Sequence, residues 1–193
     1  MSFLNDIINF KPFNKQEEVD KEIAIECIKK HTNILSRENK IVHMTSSSWI
    51  VNKERTKVLL AYHKIYDSWA WTGGHCDGDS NLLRVALREA KEETSIVNVR
   101  PIVDTIFSLE NLCVSGHMKN GEYVSSHMHI NVTFLLEADE NDKLHIKIDE
   151  NKGVKWFLLG DALTVPTEKW MVDNIYSKLN KKLELFLKNV LEV

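Results

Sequence analysis

The chain has 193 residues, 43% of them apolar and 27% charged, with 25 Lys and Arg against 28 Asp and Glu for a formal net charge of −3. This composition excludes a disordered or collagen-like chain, and with a pI near 6.2 it gives no electrostatic footprint for duplex nucleic acid. The longest apolar runs, such as Val58-Leu59-Leu60-Ala61, fall far short of the roughly 20 residues a membrane span needs, and the start at Met1-Ser2-Phe3 lacks the pattern of a secretory signal, so a cytoplasmic protein without membrane partners is expected.

Cys27, Cys76 and Cys113 are odd in number and widely spaced, which argues against structural disulfides. From Lys15 to about Lys30, Val19, Ile23, Cys27 and Ile28 recur near helical spacing and predict an amphipathic helix packed on the body. Residues 41–51 and 58–62 read as two strands joined by the polar turn 52–56, a hairpin. Later, Met128, Ile130, Val132 and Phe134 alternate with His127, His129, Asn131 and Thr133, predicting a strand with one face in the core and one in a polar site. Residues 154–159 make another short strand. From Thr167 onward Met171, Ile175, Leu179, Leu183, Phe186 and Val190 trace the apolar stripe of a long final helix. The elements add up to an α+β protein.

The chemistry is concentrated between Trp71 and Ile96, where a Gly-rich loop, Trp71-Thr72-Gly73-Gly74-His75, runs into a helix. At 100° per residue, Leu83, Ala86, Leu87, Ala90 and Thr94 cluster on one face, predicted to be buried. Glu89, Glu92 and Glu93 form a second, open stripe at spacings i, i+3 and i+4, where side chains are neighbours. Like charges at these spacings weaken a helix unless a cation neutralises them, and clustered carboxylates suit Mg²⁺ or Mn²⁺ with substrate phosphates completing the shell. A run of acids is by default a solvated face; Gly73-Gly74 before it and Arg88 directly beside Glu89 set this one apart.

This segment resembles the Nudix box of the MutT-like Nudix hydrolase superfamily: Gly74, Arg88, Glu89, Ala90, Glu92, Glu93 and Ile96 fall in register, while Ser80 replaces a Glu and Ser95 replaces a Gly. If the position of Ser95 needs left-handed geometry, serine adopts it at a cost in stability. Trp69-Ala70-Trp71 before the box and Glu150 to Phe157 after it resemble the strands that flank a Nudix box. The resemblance covers residues 41–162 and implies the Nudix fold, an α/β/α sandwich with a mixed β-sheet, here with an N-terminal helix and a long C-terminal helix as extensions over 1–40 and 163–193 of a single domain.

The resemblance also implies Mg²⁺- or Mn²⁺-dependent hydrolysis of the diphosphate linkage in a nucleoside diphosphate joined to another group, a small-molecule substrate. Glu89 and Glu93 take the positions of metal ligands, Glu92 that of a further ligand or the base, and Arg88 orients them. Glu150, in the loop before the Trp156 strand, is a candidate base from outside the box. Gly73, Gly74, Trp71, His127 and His129 are candidates for the substrate side. Many members dimerise, so a homodimer is a partner the resemblance implies, although no interface patch is visible in the sequence. Two rivals keep the fold. A non-catalytic nucleotide-binding module would have no need of three carboxylates and Arg88. An isopentenyl-diphosphate isomerase places a catalytic Cys where Gly73 stands.

Overall fold

A computed structural model describes residues 2–119 and 121–191. In chain order the elements are α1 (Ser2–Asn9), α2 (Lys15–Lys30), β1 (Val42–Val51), β2 (Lys57–His63), β3 (Ser68–Ala70), β4 (Thr72–His75), α3 (Leu82–Thr94), β5 (Val99–Pro101), β6 (Ser108–Val114), β7 (His117–Lys119), β8 (Glu122–Val124), β9 (His127–Ala138) and β10 (Asn151–Leu158). A 3-10 turn at Asp161–Leu163 follows, then α4 (Lys169–Met171), a π-helical turn at Val172–Tyr176 and α5 (Ser177–Leu191). The fold is α+β, a mixed sheet with helices. The strand order is β10-β2-β1-β9-β5, with β3 on β2, β4 on β1 and β6 on β9, and β7 and β8 form a separate ribbon.

Two compact units can be distinguished along the chain. The first comprises Met1–Ser48, Gly73–Glu89 and Val103–Phe134. Here β6 pairs antiparallel with β9 from Ser108 opposite Thr133 to Val114 opposite His127. Asn14 caps α2 by accepting the Glu17 N–H at 3.0 Å. The buried residues of α2 are Glu17, Ala24 and Ile28, whereas Val19 and Ile23 lie exposed, contrary to the stripe the sequence suggests. The helix is turned because Glu17 finds donors inside: the Phe13 N–H at 2.7 Å and the Ser108 hydroxyl at 2.7 Å. Ser108 Oγ also contacts Glu110, which accepts from Asn131 Nδ2 at 3.1 Å and Thr133 Oγ1 at 3.2 Å. Asn131 Oδ1 in turn accepts from Thr45 and Ser47 at 2.9 and 2.8 Å. The polar face of β9 is therefore interior: Asn131 and Thr133 are buried in a hydrogen-bonded network, so this part of the polar face that the alternation predicts lies inside the fold.

The second unit comprises Trp49–Thr72, Ala90–Ile102 and Leu135–Val193. The hairpin of β1 and β2 pairs Ile50 with Leu59 and Val51 with Val58. Asn52 closes its turn by accepting the N–H groups of Thr56 and Lys57, each at 2.9 Å. The strand β10 pairs along β2 with a register shift between Asn151 and Gly153. Trp49 is fully buried and stacks on Tyr176, ring centroids 5.4 Å apart. Ile175, Leu179 and Leu183 join it in the core, each such side chain contributing about 1.5–3 kcal/mol by leaving water. The final helix is thus not regular throughout, since the π turn interrupts it; Phe186 is half-buried, and the side chain of Val190 lies outside those described. A cavity of about 680 Å³ lined by Lys53, Val97, Asn98, Arg100 and Glu137 holds none of the predicted site residues.

Candidate active site

The loop before α3 sets the start of the helix. Asn81 accepts the Arg84 N–H at 3.0 Å, and Arg84 in turn grips Asp79 through Nε at 2.8 Å and Nη2 at 2.6 Å. Ser80, where the resemblance calls for Glu, lies exposed between them. At the other end Ser95 has φ +61°, and its N–H bonds the Lys91 carbonyl at 2.8 Å. That is the left-handed helix ending foreseen for a position normally given to glycine.

The buried side of α3 is not the one periodicity predicts. Leu82, Val85, Ala86, Ala90 and Thr94 are buried, Leu83 and Leu87 only in part, and both Glu89 and Glu93 are buried, 9% and 4% exposed. Only Glu92 of the three acids is open to solvent. The stripe expected to be open is therefore largely enclosed, because polar partners and bare backbone receive the carboxylates.

For Glu89 these are Gly74 and Arg88. A Cβ at Gly74 would lie 2.5 Å from Glu89 Oε2 and 2.8 Å from Oε1, so only glycine lets the carboxylate reach this backbone. A Cβ at Gly73 would come within 2.8 Å of the Cα of Ser47. Arg88 donates to Glu89 Oε1 from Nη2 at 2.8 Å and from Nε at 3.3 Å, and Nη2 also bonds the His75 carbonyl at 3.1 Å. Both guanidinium bonds to Glu89 fall on Oε1 and leave Oε2 for another cation.

Glu93 Oε2 accepts from Asn151 Nδ2 at 3.3 Å, a partner that sequence reasoning missed. Asn151 is buried, and its Oδ1 has no hydrogen-bond partner among the described residues. A buried oxygen without a donor beside a buried carboxylate suits a hard, oxygen-seeking cation or its bound water, so these residues fit Mg²⁺ or Mn²⁺. A second missed residue is Lys147, whose Nζ lies 3.0 Å from Glu150 and 3.8 Å from Glu92. The candidate base Glu150 and the exposed acid of α3 thus share one ammonium.

The remaining candidates make other contacts. Trp71 meets Tyr176 edge to face, ring centroids 5.7 Å apart. His127 and His129 belong to a cluster with His43 and His75, neither of which the sequence singles out as a partner. Burial, followed by the neighbouring His75, His43 and His127 rings, pushes His129 down to about 2, and burial also lowers His43. Cys76 is buried, and burial followed by Asp79 pushes its thiol up to about 12, so it does not supply the thiol an isomerase needs.

A NUDIX domain model matches residues 42–178. The chain belongs to the NUDIX family. The NUDIX box occupies Gly74–Ile96, and the family match reaches from β1 into α5. Solved structures agree on the NUDIX fold. A C. elegans Ap4A hydrolase binary complex aligns with 76% of this chain and 98% of its own, at 21% identity and TM-score 0.55. A NUDIX-family hydrolase from Clostridium perfringens aligns with 75% of this chain and 97% of its own, at 21% and 0.52. RenU, a Nudix hydrolase from M. smegmatis, aligns with 74% and 86%, at 15% and 0.52. A comparison with curated protein sequences returns no significant match. No helix among the described residues is long and apolar enough to cross a membrane.

Proposed function

We propose that this NUDIX chain is a Mg²⁺- or Mn²⁺-dependent hydrolase that cleaves the diphosphate linkage of a nucleoside diphosphate joined to another group. The observation that carries the reading is the enclosure of Glu89 against Gly74, with the Arg88 bonds to Glu89 both falling on Oε1. An arrangement that merely neutralised Glu89 would not need the glycine, whereas one that presents an oriented oxygen does.

Glu89 and Glu93 would hold the cation, with Glu92 as a further ligand or the water-activating base. When bound, the ion polarises phosphoryl oxygens and lowers the pKa of the attacking water. Arg88 fixes the rotamer of Glu89, and Asn151 that of Glu93, so both carboxylates are positioned before substrate arrives. Gly73 and Gly74 let this loop pack directly on Ser47 and on the Glu89 carboxylate, and they remain candidates for the substrate side. Glu150 is the candidate acceptor of the water proton, and Lys147 is placed to hold it and Glu92 between turnovers. We further propose that the whole chain works as a single NUDIX domain in the cytoplasm. The Ap4A hydrolases among the structural neighbours put dinucleoside polyphosphates into the substrate panel.

The test is a screen of nucleoside triphosphates, ADP-ribose, other nucleoside-diphosphate sugars, dinucleoside polyphosphates and coenzyme A with Mg²⁺ or Mn²⁺. Metal-dependent release of phosphate or monophosphate that Glu93→Gln abolishes is the expected result. Turnover retained in Glu93→Gln overturns the ligand assignment. Silence across the panel, with thermal stabilisation by one compound, replaces the hydrolase by a binding module.

A further inference from the structure

Four imidazoles of the first unit converge although they come from three strands. His43 stands near the start of β1, His75 at the end of β4, and His127 and His129 at the start of β9. Ring centroids are 4.7 Å apart for His43 and His129, 4.9 Å for His43 and His127, 5.0 Å for His43 and His75, and 5.1 Å for His75 and His129. One ring nitrogen each of His43, His75 and His129 lies within 4.8 Å of the others.

The hydrogen bonds fix which nitrogens are available. His43 is 3% exposed, and its Nδ1 lies 2.8 Å from the Asn39 carbonyl. A carbonyl only accepts, so Nδ1 carries the proton and the neutral ring keeps a lone pair on Nε2. That Nε2 is buried and has no hydrogen-bond partner among the described residues. His127 repeats the pattern, with Nδ1 2.8 Å from the Ser125 carbonyl and Nε2 3.0 Å from His129 Nε2. A ring N–H given to a backbone carbonyl, with the opposite nitrogen turned inward, is the arrangement that outer partners impose on metal-binding histidines.

We propose that His43, His75 and His129, with His127 as the fourth ligand, bind one borderline divalent transition-metal ion, of which Zn²⁺ is the type. Imidazole nitrogens select Zn²⁺, Co²⁺, Ni²⁺ or Cu²⁺ over the Mg²⁺ and Mn²⁺ that suit carboxylates. Tetrahedral ligation at about 2.0–2.1 Å places nitrogens about 3.4 Å apart, so modest ring rotations close the observed cluster. Because the His75 carbonyl accepts from Arg88, an ion on His75 also steadies the loop that orients Glu89.

The experiment uses untagged full-length protein stripped with EDTA and titrated with Co²⁺, followed by Zn²⁺. Expected are intense visible bands of a four-coordinate ion that saturate at one equivalent of Co²⁺, with displacement by Zn²⁺ and none by excess Mg²⁺. His129→Gln and His127→Gln each weaken Zn²⁺ binding at least 10-fold by calorimetry, while Glu93→Gln binds as the unaltered protein does. If circular dichroism finds His129→Gln unfolded, His127→Gln decides alone. Absence of the bands, unchanged affinity in the histidine variants, or loss in Glu93→Gln alone overturns the proposal.

Discussion

Gly74 presents bare backbone to the carboxylate of Glu89, at a distance that leaves no room for a methyl group. Gly74→Ala must push Glu89 out of place or break its bonds to Arg88. Mn²⁺ affinity, read by calorimetry, is expected to fall about 10–100-fold, the usual cost of disturbing a group that positions a metal ligand. The circular dichroism spectrum should be unchanged. Unaltered affinity would show that the orientation of Glu89 is not what the glycine serves.

Lys147 makes the opposite prediction. Its ammonium lies against Glu150 and Glu92, all three side chains partly exposed, so each pair is worth about 0.2–1 kcal/mol. Lys147→Ala removes this ammonium from both acids and takes a positive charge away from any incoming cation. Mn²⁺ should bind about 2–5-fold more tightly, an effect that fades as salt is raised.

Ser95→Gly should stabilise the protein. A serine at φ +61° costs roughly 1–2 kcal/mol, and the greater freedom of glycine in the unfolded chain offsets part of the relief. The net gain of about 0.5–1 kcal/mol corresponds to about 1–4 °C in Tm for a chain of this size, measurable by calorimetry.

Glu137 governs part of the acid limb of stability. Burial alone would raise its pKa, yet bonds from Arg100 at 2.7 and 3.0 Å and the ion pair with Arg55 hold it below its ordinary 4.5. The folded state therefore releases this proton more readily than the unfolded one. The resulting stability is present above about pH 4.5 and lost as pH falls through the lower folded value. In Glu137→Gln the Tm at pH 7 should drop, and Tm should depend less on pH below 4.5.

The acids of α3 are legible in the sequence because i, i+3, i+4 spacing follows from the period of the helix itself. Their burial is not. It depends on Arg88 and a glycine backbone for Glu89, and for Glu93 on Asn151, 58 residues away, whereas periodicity ranks Leu83 and Leu87 as the core. For the same reason Val19 and Ile23 read as a buried stripe on α2, because nothing local shows that Glu17 finds Ser108. His127 and His129 stand out as an alternating pair, but His43 and His75 join them only through strand pairing. Neither separation carries a period. The strand alternation of β9 is legible, whereas which of its two faces meets water is not, since both are covered.

The hydrogen bonds of Glu17 set a limit on how far the protein can be shortened. The NUDIX match begins at residue 42, which invites cutting the chain there. Doing so would strip Ser108 of Glu17 and Asn111 of Asp20, whose carboxylate accepts the Asn111 N–H at 3.1 Å. Interior polar groups of β6 would then open to water along the strand that pairs with β9. The helix α2 is therefore part of the folded structure, and a cloning boundary drawn from family similarity alone would fall inside it.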